Sequence, residues 1–490
     1  MTQVKPVSVP LAYAPVETGR LFHAGSLTYT AAGLRRLFGW LLASEVVFTL
    51  IDMLEPKVLP VLLRVHGASD KEIAFIVGSI NSVLQLLLMP PVGYYSDRLR
   101  TKWGRRIPLL FWMTPFATLF LAVTPYAPEI SRWALSIEGL RPWFEKLTVA
   151  PVILCFAVLV VLYRFVQTVM NAMFFGLLRD VVPDTHMGRF LALFRLVGAG
   201  STFIITYWLL GHVDTHSKPI FVGVAVLNLV GFGALCWFVK EGKYPPVEEK
   251  SVTTKRASRF VAFWSALRVF VRESYSHPIY LWMYFVRVCL YGALLGLSGF
   301  VIFFPLQELG LSLVEVGKLL AWPSLAWLVI AYPVGRLVDS RGAMWVLWHG
   351  LVIITVAYVA SFFLVVGART FFVSALVTGV AFWIVMLAQL KLTQEVFHPQ
   401  RYSQLAGANT IVQALAIAVV ISPAAGWTLD ALKGWQHTLL FPGVGPVVFG
   451  PYRLVNLMMG LFYGLAWFGL IKVRQHWKRL GGLNRYTAPL

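Results

Sequence analysis

Charge is scarce in this chain. Asp, Glu, Lys and Arg make up 13% of its 490 residues, about half of what a soluble globular protein carries. The shortage is mostly of acids, 22 against 42 Lys and Arg, for a net charge of +20. With 58% hydrophobic residues and a mean hydropathy of +0.71, a soluble protein of this size is excluded, and a polytopic membrane protein is expected. Cysteine is also rare. Cys155, Cys236 and Cys289 all fall within apolar runs, so no disulfide framework is implied. There is no metal-ligand cluster, nucleophile motif or phosphate-binding glycine loop. Neither a metal, a cofactor nor an enzymatic activity is expected. Residues 1 to 33 lack an apolar core of signal-peptide length. They are expected to form a mobile cytoplasmic tail, with the first membrane helix as an uncleaved signal.

Long apolar runs fill the rest. Twelve are of spanning length, at roughly 37–63, 72–95, 107–126, 150–178, 188–211, 219–239, 278–304, 314–337, 343–366, 370–392, 404–428 and 452–472. These are helices 1 to 12. They predict an all-α membrane protein with a cytoplasmic tail over 1–36, a six-helix half over 37–239 and a linker over 240–277. A second half follows over 278–472, then a tail over 473–490. Most Lys and Arg lie in the tails and in connectors on the same side as the tails. By the positive-inside rule both termini are cytoplasmic, in an inner or plasma membrane. The basic excess therefore reports topology and contact with the lipid bilayer, and no nucleic-acid partner is expected. Ser69-Asp70-Lys71-Glu72 has the form of a capping box opening helix 2. Of the two long loops on the other side, 127–149 is expected to hold an interfacial helix, and the Gly- and Pro-rich 429–451 to be irregular. The linker is expected to be a solvated connector, helical around 260–271.

The connector between helices 2 and 3 organises the chain. Residues 91 to 108 hold five cations, Arg98, Arg100, Lys102, Arg105 and Arg106. Gly93, four residues before Asp97, is expected to let two helix backbones approach closely. Asp97 suits capping a neighbouring helix or pairing with an arginine. The pattern Pro-Val-Gly-x-x-x-Asp recurs with Gly335 and Asp339, 242 residues on (93 to 335, 97 to 339), followed by Arg341. A repeat of half-chain length in an apolar protein points to a transporter built from two related halves. A weaker repeat sets Asp180-Val181-Val182-Pro183 after helix 4 beside Glu395-Val396-Phe397-His398-Pro399 after helix 10. Asp180 and Glu395 are expected to pair with basic residues of the two loops and latch the cytoplasmic face.

These residues also carry a family resemblance. Gly93-x-x-x-Asp97-Arg98-x5-Gly104-Arg105-Arg106 resembles the signature loop of the major facilitator superfamily. Gly-Tyr-Tyr-Ser-Asp-Arg-x5-Gly-Arg-Arg-x-Pro is similar to the plant sucrose–proton symporters and the wider glycoside–cation symporter group. Ile107 stands where those symporters usually carry a third arginine. The resemblance implies twelve helices in two pseudo-symmetric halves, gating by Gly93, Asp97, Arg98, Gly104, Arg105 and Arg106, and a sugar or glycoside substrate. Sodium-coupled melibiose-type members carry helix 2 acids just before the Pro-x-x-Gly stretch; Gln85 and Met89 stand there. Sodium sites usually need an anionic oxygen, so protons are the expected coupling ion.

Polar residues inside the membrane are functional candidates by default. Helix 1 carries Glu45, Asp52 and Glu55. At ~100° per residue Glu45 and Asp52 lie within ~20° of each other, and Glu55 within ~80° of Glu45. Helix 4 has Arg164, Gln167 and Asn171 on one face. Counted at ~1.5 Å per residue from the tail side, Asp52 lies ~24 Å in and Arg164 ~21 Å, so they can meet. Asp52, with Arg164, is the expected coupling carboxylate, and Glu45 the second candidate. Arg195 on helix 5 is expected to snorkel to the interface. Helix 7 offers Arg287 between Tyr284 and Tyr291. Asn81 with Gln85 on helix 2, and Asn409 with Gln413 on helix 11, either join neighbouring helices or line the cavity. Trp40, Phe48, Tyr163, Tyr284, Trp322 and Trp383 are candidates for stacking on sugar rings. The sequence reads as a monomeric transporter exchanging a small polar solute and protons by alternating access. Two alternatives stay open: an exporter of amphipathic compounds, and a non-transporting assembly factor resembling the bacteriochlorophyll-delivery proteins.

Overall fold

A computed structural model describes residues 21–139, 141–142, 146, 149–244, 268–441, 445–482 and 486–489. Eleven continuous helical segments among them are long and apolar enough to cross a membrane. One, Asp184–Phe238, has 55 residues and would reach about 80 Å as a straight helix, against a hydrocarbon core of roughly 30 Å. It is broken at His216, whose φ of −126° and ψ of 35° are not helical. The segment therefore supplies helices 5 and 6, which gives twelve spans among the described residues.

Helix 1 is Ala31–Val65, six residues earlier than expected because Thr30 caps it, accepting from the Gly33 amide at 3.2 Å. Helix 2 runs from Asp70 through a π-helical turn, Ala74–Ser79, to Arg98. Helix 3 is Ile107–Val123 and helix 4 Pro151–Val181. Helix 7 is Pro278–Tyr291 with a π turn at Gly292–Gly296, helix 8 Leu313–Arg341, helix 9 Ala343–Leu364 and helix 10 Ala368–Val396. Helix 11 starts at Tyr402, passes a π turn at Ala416–Ile421 and ends at Ala431. Helix 12 is Leu454–Arg479. Helices 1 to 6 pack on one another through pairs 3–4, 3–6, 1–6, 1–5 and 2–4; helices 7 to 12 do so through 9–10, 9–12, 7–12 and 8–10.

The two groups meet along helices 2 and 11 and along helices 5 and 8. Glycines make these contacts. A Cβ on Gly78 would stand 2.2 Å from the Ser422 hydroxyl, and one on Gly317 would stand 2.6 Å from the Thr206 carbonyl. Gly426 abuts the Asp70 carbonyl and Gly211 abuts Val314 in the same way. The expected capping box is present, Ser69 and Glu72 exchanging side-chain-to-backbone bonds. Its counterpart opens helix 8 at Ser312 and Glu315, 243 residues on (69 to 312).

Two expectations on the loops are corrected. The N-terminal tail is structured from Phe22: strands β1 (Phe22–Ala24) and β2 (Leu27–Tyr29) form a hairpin. Phe22 packs edge-on against His186, and the Lys243 amide donates to Ser26. The loop after helix 11 holds a second hairpin, β3 (His437–Phe441) with β4 (Gly445–Phe449). Backbone pairing across that Gly- and Pro-rich connection satisfies groups that an irregular loop would leave to water. The interfacial helix forms over Ala127–Ser136 and lies on helix 4. Of the central linker, residues 268–275 are helical, and the expectation for 260–267 lies outside the described residues. Near the other end of the chain, Tyr486 donates to the Val396 carbonyl and Tyr280 to that of Pro489. Both tails thus pack on the same face of the bundle, the tail face below.

Candidate functional site

The connector between helices 2 and 3 is held by groups from three other places in the chain. Gly104 has φ +108°, and a Cβ there would stand 2.5 Å from the Glu241 carboxyl carbon. Glycine is therefore required twice over. The turn aims the amides of Arg105, Arg106 and Ile107 at the Glu241 carboxylate, which accepts all three at 2.9, 2.7 and 2.5 Å. Glu241 thereby caps the start of helix 3 with the sign of charge its dipole favours. Arg105 grips Asp180 with both arms of its guanidinium, at 3.0 and 2.7 Å. Arg106 lies 3.5 Å from Asp180 and donates to Ser96 at 2.5 Å. Its guanidinium lies 2.9 Å from where a Cβ on Gly176 would be, so that glycine makes room for it. Tyr244 shares its hydroxyl between Asp180 and Glu241, and its ring faces Arg105 at 4.2 Å. Burial, then the charges of Glu241 and Asp180, pushes the Tyr244 phenol up, so it stays a donor. The Asp180 pairing expected from sequence is present, within one half of the bundle.

Several expectations at this face are corrected. Neither Gly93 nor Gly335 has any atom within 4 Å of its Cβ direction. Among the described residues no close approach is therefore made at either glycine. Asp339 pairs with Lys391 of helix 10 at 2.6 Å. Glu395, one turn further along, is exposed and makes no ion pair among the described residues. Lys391 has taken its expected role, and helix 9 begins at Ala343, leaving no room for a second Gly-Arg-Arg loop. Arg341 instead covers the Trp345 ring at 5.5 Å. Arg98 is exposed. The side chains of Asp97 and Glu55 lie outside the described residues.

On the opposite face the halves are joined. Asp430, at the end of helix 11, accepts from the amides of Asp70 and Lys71 at 3.0 and 3.1 Å. The hydroxyl of Tyr452 lies 3.0 and 3.1 Å from the two carboxylate oxygens of Asp70. Arg64 pairs with Asp70 and donates to Tyr452 at 2.7 Å. The Arg64 guanidinium also faces the Phe303 ring, and Lys71 faces Trp427.

Between the faces lie the polar groups of the bundle interior. Glu45 is 6% exposed; Thr49 donates to its Oε1 at 3.3 Å, and Oε2 is buried with no partner among the described residues. Arg195 and Asp52 both lie within electrostatic reach of it. Arg195 is exposed. Asp52 is half-buried and within electrostatic reach of Arg164, as their depths predicted. Lys57 donates to Thr206 of helix 5 at 2.7 Å. Gln167 is buried and Asn171 half-buried on helix 4. Gln85 donates to Asn81, so this pair joins its own helix. Asn409 is fully buried with neither amide atom partnered among the described residues, and Gln413 is half-buried.

In helix 7, Arg287 donates to Thr393 of helix 10 at 3.2 Å and faces Tyr291 at 5.5 Å. Tyr284 is corrected. Its hydroxyl donates to the Ser274 carbonyl, and its ring packs on Tyr275 and Phe397. Helical side chains point back toward the N-terminus, which carries Tyr284 away from Arg287 toward the tail face. Among the aromatic candidates, Trp40 stacks on Phe238, Phe48 packs on Phe174, Trp322 on Phe203, and Trp383 stacks on Trp327.

The profile of the Major Facilitator Superfamily matches residues 41–421. The chain belongs to that superfamily. Known structures share the facilitator fold across nearly the whole chain. A bacterial homologue of the human lysosomal transporter Spinster superposes with a TM-score of 0.65 at 12% identity, covering 93% of this chain and 99% of that one. The nucleoside transporter NupG gives 0.57 at 11%, over 89% and 98%. A bacterial homologue of the iron transporter ferroportin gives 0.61 at 16%, over 90% and 99%. Among curated proteins, the general alpha-glucoside permease of Schizosaccharomyces pombe is 25% identical over 202 residues, 40% of this chain and 35% of the permease.

Sequence reading missed three parts of this facilitator's machinery. Glu241 and Tyr244 sit just past helix 6 in a stretch that reads as linker. Thr393 and Gln389 on helix 10 are uncharged and drew no attention, although Thr393 holds Arg287 and donates to the Gln389 carbonyl. The joint at the far face is built from residues some 360 to 390 positions apart, and only the local box at Ser69 gave a sign of it.

Proposed function

We propose that this facilitator moves a glycoside across the cell membrane by alternating access, driven by protons that load on helix 1. The observation that carries the reading is the pair of acids Glu45 and Asp52 on one stretch of helix 1, each within electrostatic reach of an arginine from another helix. Carboxylates at this depth are costly, and a counter-charge on a separate helix makes their ionisation depend on how the helices stand. Arg164 is the counter-charge of Asp52. The solute lies between the halves near Gln167, Asn171, Arg287 and Tyr291, with Asn81, Gln85, Asn409, Gln413 and Glu55 as further polar contacts.

The glycoside rests on the sucrose-type loop and on the likeness to an alpha-glucoside permease. The placement of Lys and Arg supports a cytoplasmic tail face, the halves joined opposite it support an inward-open state, and the transporter acts as a monomer in this reading. Uptake of radiolabelled maltose and sucrose into proteoliposomes under an imposed inside-alkaline gradient tests the whole. Accumulation of at least one sugar, abolished by a protonophore, is the expected result. No accumulation of either, by protein that is intact and correctly inserted, removes the glycoside reading.

A further inference from the structure

We propose that Glu45, and not Asp52, is the group that takes and gives the proton, with Thr49 and Gly198 as its positioning residues and Arg195 as its discharging counter-charge. The inference rests on the proton-coupled reading above and names the atom at which it acts.

The two acids of helix 1 differ in how their oxygens are held. Asp52 is half-buried, and the Arg164 guanidinium lies within electrostatic reach to offset the burial of its charge. Glu45 is sealed in. A Cβ at Gly198 of helix 5 would stand 2.7 Å from Glu45 Oε1 and 3.7 Å from the Thr49 hydroxyl. Only the absence of that carbon lets the carboxyl lie against the helix 5 backbone. Thr49 fixes Oε1, while Oε2 is buried without a partner among the described residues. An ionised carboxylate in such a place lacks donors on one oxygen, a costly condition. A proton on Oε2 removes the charge and leaves the Thr49 bond in place.

Arg195 lies one turn before Gly198, so it is on the helix 5 face that meets Glu45, and it is exposed. Helix 6 packs on the same stretch through Gly231 against Val47. Its charged residues, Asp214, His216 and Lys218, lie at the far face. Among the described residues, the charged groups facing Glu45 are therefore Arg195 from helix 5 and Asp52 on its own helix. When helix 5 brings the guanidinium closer, the proton leaves Oε2 for water; when helix 5 draws it away, Oε2 takes one up.

The test needs no substrate. Infrared difference spectra of the purified full-length protein in lipid nanodiscs, recorded between acid and alkaline buffer, report any carboxyl that titrates inside the bundle. A protonated-carboxyl band is expected in the native protein and in Asp52→Asn, and is expected to vanish in Glu45→Gln. Thr49→Val removes the donor on Oε1 and should move the band to higher frequency. Arg195→Gln should move its midpoint up by one pH unit or more, a tenfold gain in proton affinity. A band that survives Glu45→Gln, one that vanishes in Asp52→Asn, or no titrating band in the native protein overturns the assignment. Each variant is read only as monodisperse protein, and Thr49→Val checks the site with the carboxyl intact. Failure of maltose and sucrose uptake would leave this result standing, and loss of the band would leave the glycoside reading standing.

Discussion

The carboxylate of Asp430 caps a helix that belongs to the other half of the protein, accepting the Asp70 amide at 3.0 Å and its neighbour's at 3.1 Å. Helix 2 already has its own capping box at Ser69, so this second acid is a tie between the halves. Hydrogen bonds to a charged group contribute roughly 1.5–3 kcal/mol. Asp430→Asn should therefore shift the balance toward the far-face-open state by about tenfold, since 1.4 kcal/mol is a factor of ten. Spin labels at Val65→Cys and Lys433→Cys, with Cys155, Cys236 and Cys289 replaced, would report a longer-distance population rising in the variant. An unchanged distance distribution would show that Asp430 does not hold this face shut.

The two glycines of the signature loop differ in a way that stability measurements can read. Gly104 combines a left-handed backbone with a carboxyl 2.5 Å from its Cβ direction. Strain of about 1–3 kcal/mol and a further ~1–3 kcal/mol of overpacking are expected in Gly104→Ala. Gly93 has open space, and Gly93→Ala should leave the melting temperature unchanged in this state. Equal losses in the two variants would contradict the packing described here.

Arg105→Lys keeps the charge beside Asp180 but loses the planar fork that makes two bonds at once. One charge-assisted bond of about 1.5–3 kcal/mol is forfeited. The expected outcome is a several-fold lower initial rate of proton-driven sugar uptake with normal membrane insertion. A rate equal to the native one would confine the pair to structure.

Tyr284 and Arg287 separate packing from solute contact. Tyr284→Phe loses one buried bond to the Ser274 carbonyl, a stability cost of about 1 kcal/mol, and should leave maltose affinity as it was. Arg287→Lys should weaken maltose binding while changing the melting temperature little. Calorimetric titration of both variants decides, and the reverse pattern would exchange their roles.

How much of this was legible in the sequence follows from how far apart the interacting groups lie. The spans declared themselves because each needs a continuous apolar run, and the half-chain repeat at Gly93 and Gly335 showed two related units. Asp180 was visible because it ends a helix opposite a loop of five cations. Glu241 was not, since nothing in the residues around it tells that three amides more than 130 positions earlier point at it. The repeat also misled. Glu395 matches Asp180 in sequence, but Lys391 already occupies Asp339 and the second loop is too short to bring an arginine round. The hairpin after helix 11 was hidden by its Gly and Pro, which signal turns without saying what flanks them.

The glycines at the seam between the halves have a mechanical meaning. Gly78, Gly211, Gly317 and Gly426 bring bare backbone against the other half, with no side chain of their own interlocked across the gap. Surfaces that meet this way have no side chain of the glycines to unlock when they slide apart. The polar ties at the far face then add to that packing in holding the halves together. A seam that is smooth and lightly fastened keeps two shapes near in free energy, so that a ligand preferring one of them by a few kcal/mol is enough to choose between them.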